Sequence, residues 1–202
     1  MEAIFLFLIL IFSVILHEVS HGLVAEWLGD PTARQMGRIT LNPLKHLDLF
    51  GSIFLPLMAF LFTAGQGPLF GYAKPVPVNP LNFREPKKAT FFVSLAGPLS
   101  NILLGVFFGL FLRFFSFLST PLLSFFSAIS FYNFFLAFFN LLPIFPFDGF
   151  HVFNFFIGQR FLSLKIFFMQ YNLFFLLLFL LFGLQYIGYL AYFVFRFISG
   201  LN

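Results

Sequence analysis

Two histidines and a glutamate near the N-terminus have the spacing of a metal-binding helix. His17, Glu18 and His21 form an H-E-x-x-H pattern. On a helix, residues i and i+4 lie one turn apart on the same face, so both imidazoles can bind one zinc ion. The glutamate beside them can then take a proton from a zinc-bound water. The pattern therefore predicts metal-assisted hydrolysis.

The setting of this motif is apolar enough to cross a membrane. Residues 5–16 contain a single polar side chain, Ser13. Ionisable side chains within a membrane span are costly unless they pair or bind something, so they mark a functional site by default. Chance can produce a lone motif in a soluble helix, but it explains these three residues poorly. We expect the chemistry to take place within the bilayer.

The composition also indicates an integral membrane protein. The chain is 60% hydrophobic and 9% charged, and 40 of its 202 residues are Phe, whereas soluble domains carry roughly 25% charged residues. The net charge of +4 is small and scattered, which favours anchoring at the membrane interface over binding of nucleic acid. Because the chain has no cysteine, a metal must be held by His, Asp, Glu and water.

The first half of the chain predicts one span and several irregular segments. The first helix covers residues 3–28 and is expected to be retained, since it lacks a basic n-region and a cleavage site. Residues 38–41 look like a short strand. Residues 51–64 are too short and too Pro-interrupted for a span and are expected to be re-entrant. Residues 65–83 are too rich in Pro and Gly for a helix.

The second half predicts further helices. Spans are expected over residues 89–115 and 122–142, with a short helix over residues 150–157. Residues 166–198 are longer than one span needs. They predict either one span with an interfacial helix or two spans broken near Gly183. The fold class is thus all-α and polytopic, with about four to six transmembrane helices in a single integral-membrane domain over residues 1–202.

A catalytic zinc usually has three protein ligands, so the sequence must supply one more. Asp148 is the strongest candidate, because it follows an apolar span and lies between Pro146 and Gly149, which interrupt the helix. Its alternative role is that of an interfacial helix cap. His151 is the second candidate or a neighbouring interfacial group. The full set of candidates comprises His46, Asp48, Asp148, His151 and the remaining glutamates.

Two asparagines in apolar spans are further candidates. Asn140 lies where the span before Pro143 ends, so its carboxamide could donate to the oxyanion formed when a carbonyl is attacked. A hydrogen bond between helices is its alternative role. Asn101 has the same two interpretations, and its small-residue neighbours favour the structural one. Gly97 in that neighbourhood permits close helix approach.

Four motifs in this order resemble the site-2 protease family of intramembrane zinc metalloproteases, in its compact prokaryotic branch without a PDZ or CBS domain. They are the segment from HEVSHG to NPLKHLD, then GYAKPVPVNP, AGPLSN and NLLPIFPFDG. Leu49 and Phe150 depart from the residue types usual in that branch. The resemblance implies His17, His21 and Asp148 as ligands of one Zn²⁺ per chain, Glu18 as catalytic base and Asn140 as a substrate or oxyanion contact.

The same resemblance implies a core of three helices with a small membrane-associated β element beside the active site, and residues 36–41 and 70–79 fit that element. The enzyme would be a zinc metalloendopeptidase that cleaves membrane-spanning protein substrates, with edge pairing to an extended substrate. Basic loops suggest a multi-pass protein of the cell membrane with its site toward the cytoplasm. The competing hypothesis is a non-proteolytic metal-binding protein or a divalent-metal transporter.

Overall fold

The structure, a computed structural model, describes residues 2–54, 58, 61, 73–115, 119–157 and 162–201. In this part of the chain the elements are helical. They are α1 (Glu2–Trp27), α2 (Thr32–Gln35), α3 (Pro86–Phe114), α4 (Thr120–Asn140), α5 (Asp148–Phe156), α6 (Leu162–Gln170), α7 (Asn172–Phe182) and α8 (Leu184–Ser199). Pro43–Lys45 and Pro80–Asn82 form 3₁₀ turns, and Leu49–Phe54 forms a short π-helical stretch.

Three of these helices are long and apolar enough to cross a membrane: α1 from Phe5 onward, α3 and α4. Helices α7 and α8 form a bent pair with an angle of 59° between them. The break falls at Gly183, as in one of the two arrangements that the sequence left open, but the pair forms at most one span instead of the two expected with that break. Within the described residues the number of candidate spans is three, which is below the expected four to six, or four if the bent pair counts as one span.

Helix α3 is the centre of the bundle, and it packs against α1, α4, α5 and α8. Near its C-terminal end, a core cluster joins α3, α4 and α8 through Leu112, Phe134, Ala191 and Phe195. Near its N-terminal end, a second cluster joins α3 to the last turns of α1 through Ala25, Phe83, Ala89 and Val93. The position of α3 between α1 and α5 brings together the parts of the chain that carry the predicted site.

The predicted β element is not formed in the described residues. Residues 36–41 adopt turns and bends, residues 73–79 (the extended segment) run without a strand partner, and residues 70–72 lie outside the described part. The two regions do approach each other, since the Arg38 guanidinium donates to the carbonyl of Lys74 (2.7 Å). Prolines explain why no ladder follows, because Pro75 and Pro77 have no N–H to donate.

The loops between α1 and α3 are fastened by two carboxylates. Asp30 is fully buried and accepts hydrogen bonds from Thr32 N (3.1 Å), Asn79 N (2.7 Å) and Asn82 Nδ2 (2.6 Å). Burial opposes ionisation of Asp30, but these hydrogen bonds outweigh it and hold its pKa below the usual range. Asp48 accepts from Gly51 N (2.7 Å) and thereby caps the stretch that follows it.

The predicted re-entrant segment falls largely outside the described residues. Of residues 51–64, the structure describes 51–54, 58 and 61, and residues 51–54 continue the stretch that begins at Leu49. Re-entrance therefore stays a prediction from the sequence. The next described residues belong to the extended segment, which leads through the Pro80–Asn82 turn into α3.

Candidate metal centre

The last turns of α1 carry the H-E-x-x-H residues on the side of the helix that meets α3. His17 and His21 are both buried, and their rings lie edge to face with centroids 4.7 Å apart. This is the arrangement expected for residues i and i+4 on one helical face. The helix thus presents two imidazoles side by side in the interior of the bundle.

Asp148 reaches the same place from the opposite end of the sequence. It is the first residue of α5, which follows the turn after α4. Gly149 permits this close approach, because a Cβ at that position would lie 2.1 Å from the carbonyl oxygen of Leu141. The interruption around Pro146 and Gly149 therefore turns the Asp148 carboxylate back toward α1, as the sequence predicted.

The three side chains converge on one point. Asp148 Oδ2 lies 3.0 Å from His17 Nε2 and 3.3 Å from His21 Nε2. Zinc bonds of about 2.0–2.1 Å place neighbouring ligand atoms of a tetrahedron roughly 3.3 Å apart. The observed separations match that spacing, so one cation could bind all three atoms, and an imidazolium N–H donating to the carboxylate gives similar distances. Among the described residues, His17, His21 and Asp148 form the one group of three that could hold a metal ion.

The two imidazoles are oriented by different partners through their other ring nitrogen. His21 Nδ1 lies 2.6 Å from the carbonyl oxygen of Val93 on α3. His17 Nδ1 lies 2.6 Å from Asn101 Oδ1, also on α3. A backbone carbonyl can only accept, so His21 carries a proton on Nδ1, and in its neutral form it presents the Nε2 lone pair to the cluster. Partners of this kind fix the tautomer and direction of metal-binding histidines.

Gly97 provides the space that the two imidazoles occupy. A Cβ at this position would lie 2.5 Å from both His17 Nε2 and His21 Nε2. A side chain there would therefore collide with the two candidate ligand atoms. The close helix approach predicted for Gly97 is confirmed, and it occurs directly at the candidate metal position.

Glu18 is held at the edge of the cluster by the extended segment. The backbone N–H of Val76 donates to Glu18 Oε2 at 2.7 Å. One carboxylate oxygen is thereby anchored, and a carboxylate has a second oxygen and further lone pairs for a proton or a water. The residue that the pattern predicts as a base thus has a fixed direction.

A cavity of about 330 Å³ opens onto these groups. Asn140 and His151 also line it, beside His17, Glu18, His21 and Asp148. The amide nitrogen of Asn140 donates to the carbonyl of Leu136 in its own helix (2.9 Å). Because this nitrogen carries two N–H groups, this bond uses only one of them. His151 belongs to the cavity wall and not to the group of converging ligand atoms.

Two of the other ligand candidates lie elsewhere. His46 is buried and its Nε2 lies 2.8 Å from the carbonyl oxygen of Thr40, while Asp48 caps a backbone turn. Asn133, Ser13 and the Val76 N–H also belong to this site, although the sequence did not predict them there. A polar side chain at Asn133 within an apolar span was the available signal for the first of these.

Comparison with known proteins is consistent with this geometry. A family model described as Peptidase family M50 matches residues 5–119 and 116–181. YwhC of Bacillus subtilis, which is named as a zinc metalloprotease, is 42% identical over 157 residues, covering 73% of this chain and 67% of YwhC. Rip2 of Mycolicibacterium smegmatis, also named as a zinc metalloprotease, is 33% identical over 94 residues, which cover 46% of this chain and 34% of Rip2. No solved structure matches the chain.

Proposed function

The chain belongs to peptidase family M50, the site-2 protease family of zinc metalloproteases, and we propose that it hydrolyses peptide bonds within or near transmembrane segments of other membrane proteins. His17, His21 and Asp148 hold the zinc in this proposal, and Glu18 is the general base. The observation that carries it is the convergence of two Nε2 atoms on Asp148 Oδ2 beside an anchored Glu18. Residues 1–202 act as a single membrane domain.

His17, His21 and Asp148 would hold a zinc ion, which would lower the pKa of a water toward neutrality and polarise the scissile carbonyl. The carboxylate of Glu18 takes the proton of the attacking water. Its Oε2 is engaged by the Val76 N–H, so Oε1 is the oxygen that accepts the proton and later delivers it to the leaving amine. The hydrogen bonds to Val93 and Asn101 keep both imidazoles directed at the metal position.

Asn140 is positioned to assist from the cavity wall. Its amide lines the same cavity as Glu18 and Asp148, and one of its two N–H groups is used by the carbonyl of Leu136. The second N–H can donate to the substrate carbonyl oxygen as that oxygen becomes negative. This role supports hydrolysis of an amide rather than simple metal storage.

The substrate must be an unwound part of a membrane segment, because peptide bonds within a helix are shielded by their own hydrogen bonds. Edge pairing with the extended segment is limited, since alternate N–H groups are missing at Pro75 and Pro77. The N–H groups of Lys74 and Val76 are engaged with His46 O and Glu18. We therefore assign this segment to holding Glu18, and substrate capture to the cavity that it borders.

The charge distribution supports an active site on the cytoplasmic side of a cell membrane. Seven of the eleven Lys and Arg residues lie between the end of α1 and the first turn of α3: Arg34, Arg38, Lys45, Lys74, Arg84, Lys87 and Lys88. Short loops rich in Lys and Arg stay on the cytoplasmic side. The H-E-x-x-H residues and Asp148 lie at that same end of the bundle.

A divalent-metal transporter is the competing function. A transporter would need acidic side chains in several spans to form a path, but the sequences of α3 and α4 contain no Asp or Glu. The ionisable groups are instead gathered at one point. This concentration favours an enzyme.

The proposal is tested by reconstituting the protein in vesicles with a single-span model substrate. Glu18→Gln retains the shape of the side chain but cannot take a proton, so we expect zinc content to stay at the wild-type value and cleavage to fall by several orders of magnitude. Asn140→Leu should lower turnover by about 10²–10³-fold with zinc retained. Wild-type turnover in Glu18→Gln would refute the mechanism, and metal uptake without cleavage would favour the transporter.

A further inference from the structure

A chain of buried polar side chains runs away from His17 through three helices. Asn101 on α3 contacts His17 Nδ1 and donates from its amide nitrogen to Asn133 Oδ1 on α4 (2.8 Å) and to the carbonyl of Ser13 on α1 (3.3 Å). Asn133 donates in turn to Ser13 Oγ (2.9 Å) and to the carbonyl of Ile129 (2.8 Å). Asn101 and Asn133 are completely buried, and Ser13 is nearly so.

The direction of every hydrogen bond in this chain follows from two backbone carbonyls. The carbonyl of Ile129 can only accept, so the group of Asn133 that faces it is the NH₂, and Oδ1 faces Asn101. Asn101 must then present its NH₂ to Asn133, which also suits the carbonyl of Ser13. Its Oδ1 is therefore left for His17, whose Nδ1 must carry the proton. This tautomer directs the lone pair of Nε2 at Asp148.

We propose that Asn101, Asn133 and Ser13 form a positioning relay that fixes the tautomer and ring direction of His17 for zinc binding. The inference rests on the proposed function of the site. Asn101 was expected either to contact the oxyanion or to join two helices. In this proposal it does not line the cavity and acts on the metal position through His17. Asn133 and Ser13 act one step further away.

Simple helix association is the competing explanation for these contacts. Polar side chains do join transmembrane helices through hydrogen bonds between them. An association role predicts a loss of stability with unchanged zinc affinity. A relay predicts a loss of zinc affinity, because an imidazole without its partner is free to rotate and to carry its proton on Nε2. The two effects can be measured separately.

The experiment measures zinc affinity by competition with a chelator, together with thermal stability of the metal-free protein and the visible spectrum of the Co²⁺-substituted protein. Asn101→Leu should weaken zinc binding by about 10–100-fold and change the Co²⁺ spectrum. Asn133→Leu should cause a smaller loss, since the carbonyl of Ser13 still holds the Asn101 amide. Asn101→Asp retains an acceptor for His17 Nδ1–H and should recover most of the affinity, although it has no N–H for Asn133.

A pair of serine variants provides the matched control. Ser13→Ala removes a buried hydroxyl that accepts from Asn133, whereas Ser130→Ala removes an equally buried hydroxyl that joins α4 to the Gly105 carbonyl of α3 (2.7 Å) without touching the relay. Both should lower the stability of the metal-free protein, but only Ser13→Ala should lower zinc affinity. These small changes test the relay even if the Asn101 variants fold poorly.

The outcomes separate this inference from the function on which it rests. If wild-type protein binds no zinc, the proposed function fails. If wild-type protein binds zinc and Ser13→Ala and Asn101→Leu bind it with the same affinity and the same Co²⁺ spectrum, the relay is refuted while the protease assignment stands. Weaker zinc binding in both, with Ser130→Ala unchanged, supports the relay.

Discussion

The candidate metal centre has two flanks that are built from different chemistry. On the interior flank, where α1, α3 and α4 meet, the contacts come from neutral groups: the amides of Asn101 and Asn133 and the hydroxyl of Ser13. On the loop flank, carboxylates accept hydrogen bonds from the backbone that leads into α3. Glu18 accepts from Val76 N, and Asp30 accepts from Asn79 N.

The cost of burying charge accounts for this difference. Within the apolar interior an unpaired charge is expensive, whereas an amide network with all its donors and acceptors used is tolerated. At the loop end, water and backbone N–H groups can stabilise carboxylates. The interior flank therefore directs His17, one of the candidate metal ligands, and the loop flank directs the base. Variants on the two flanks should change different observables.

The largest effect is expected at Gly97, where both histidines depend on the same space. Gly97→Ala places a Cβ 2.5 Å from both Nε2 atoms, so both imidazoles must move and we expect zinc and cleavage to be lost together. Metal analysis and the vesicle assay check this. Gly188→Ala on α8 is the control, since a Cβ there meets nothing within 4 Å. Normal zinc content in Gly97→Ala would contradict the described approach of α3 to α1.

Replacing Val76 by proline should disturb the loop flank, and hence turnover, without disturbing zinc binding. Val76→Pro removes the N–H that anchors Glu18, while Val76→Ala shortens the side chain and keeps that N–H. A hydrogen bond to a charged group contributes about 1.5–3 kcal/mol, so turnover should fall by tenfold or more in Val76→Pro alone. Zinc affinity should be unchanged in both. Equal turnover in the two variants would show that the Val76 N–H does not position Glu18 for catalysis.

A smaller effect is expected from Asp30, which fastens the loop flank without touching the metal cluster. Asp30→Asn replaces one accepting oxygen by a donor that faces other donors. We expect the apparent Tm to fall by roughly 3–10 °C with zinc affinity unchanged. Glu85→Gln is the control, because Glu85 makes an exposed ion pair with Lys88 and such pairs contribute little. A loss of zinc affinity in Asp30→Asn would mean that the flanks are coupled.

Acidification should weaken the contribution of Asp30 in a defined direction. Its pKa in the folded protein is lowered, so its carboxylate stabilises the fold above the unfolded value of about 3.9 and loses this effect as pH falls through the folded value. The Tm difference between wild type and Asp30→Asn should therefore be constant from about pH 5 to 7 and shrink below about pH 4. A difference that grows on acidification would contradict this.

The spacing of residues in the sequence predicted which side chains the structure brings together at the candidate metal centre. His17, Glu18 and His21 follow from helical geometry, and the interruption around Pro146 and Gly149 identified Asp148. A break near Gly183 was one of the two arrangements expected for the last apolar run, and the structure has a break there. In each case the signal is local to a few neighbouring residues.

The interior flank could not be predicted in the same way. The contact of Asn101 with His17 depends on the relative rotation of α1, α3 and α4, and no local pattern specifies that rotation. The predicted strands were wrong in the described residues for a related reason. A strand requires a ladder of hydrogen bonds with a partner, and Pro75 and Pro77 prevent one.

Zinc stoichiometry tests the central claim most directly. Metal analysis of purified protein should find one zinc per chain in wild type and in Glu18→Gln, because Glu18 contacts the Val76 N–H and is not among the three converging ligands. Asp148→Ala should lose the metal, since only His17 and His21 would remain to hold it. Full zinc occupancy in Asp148→Ala would contradict the account.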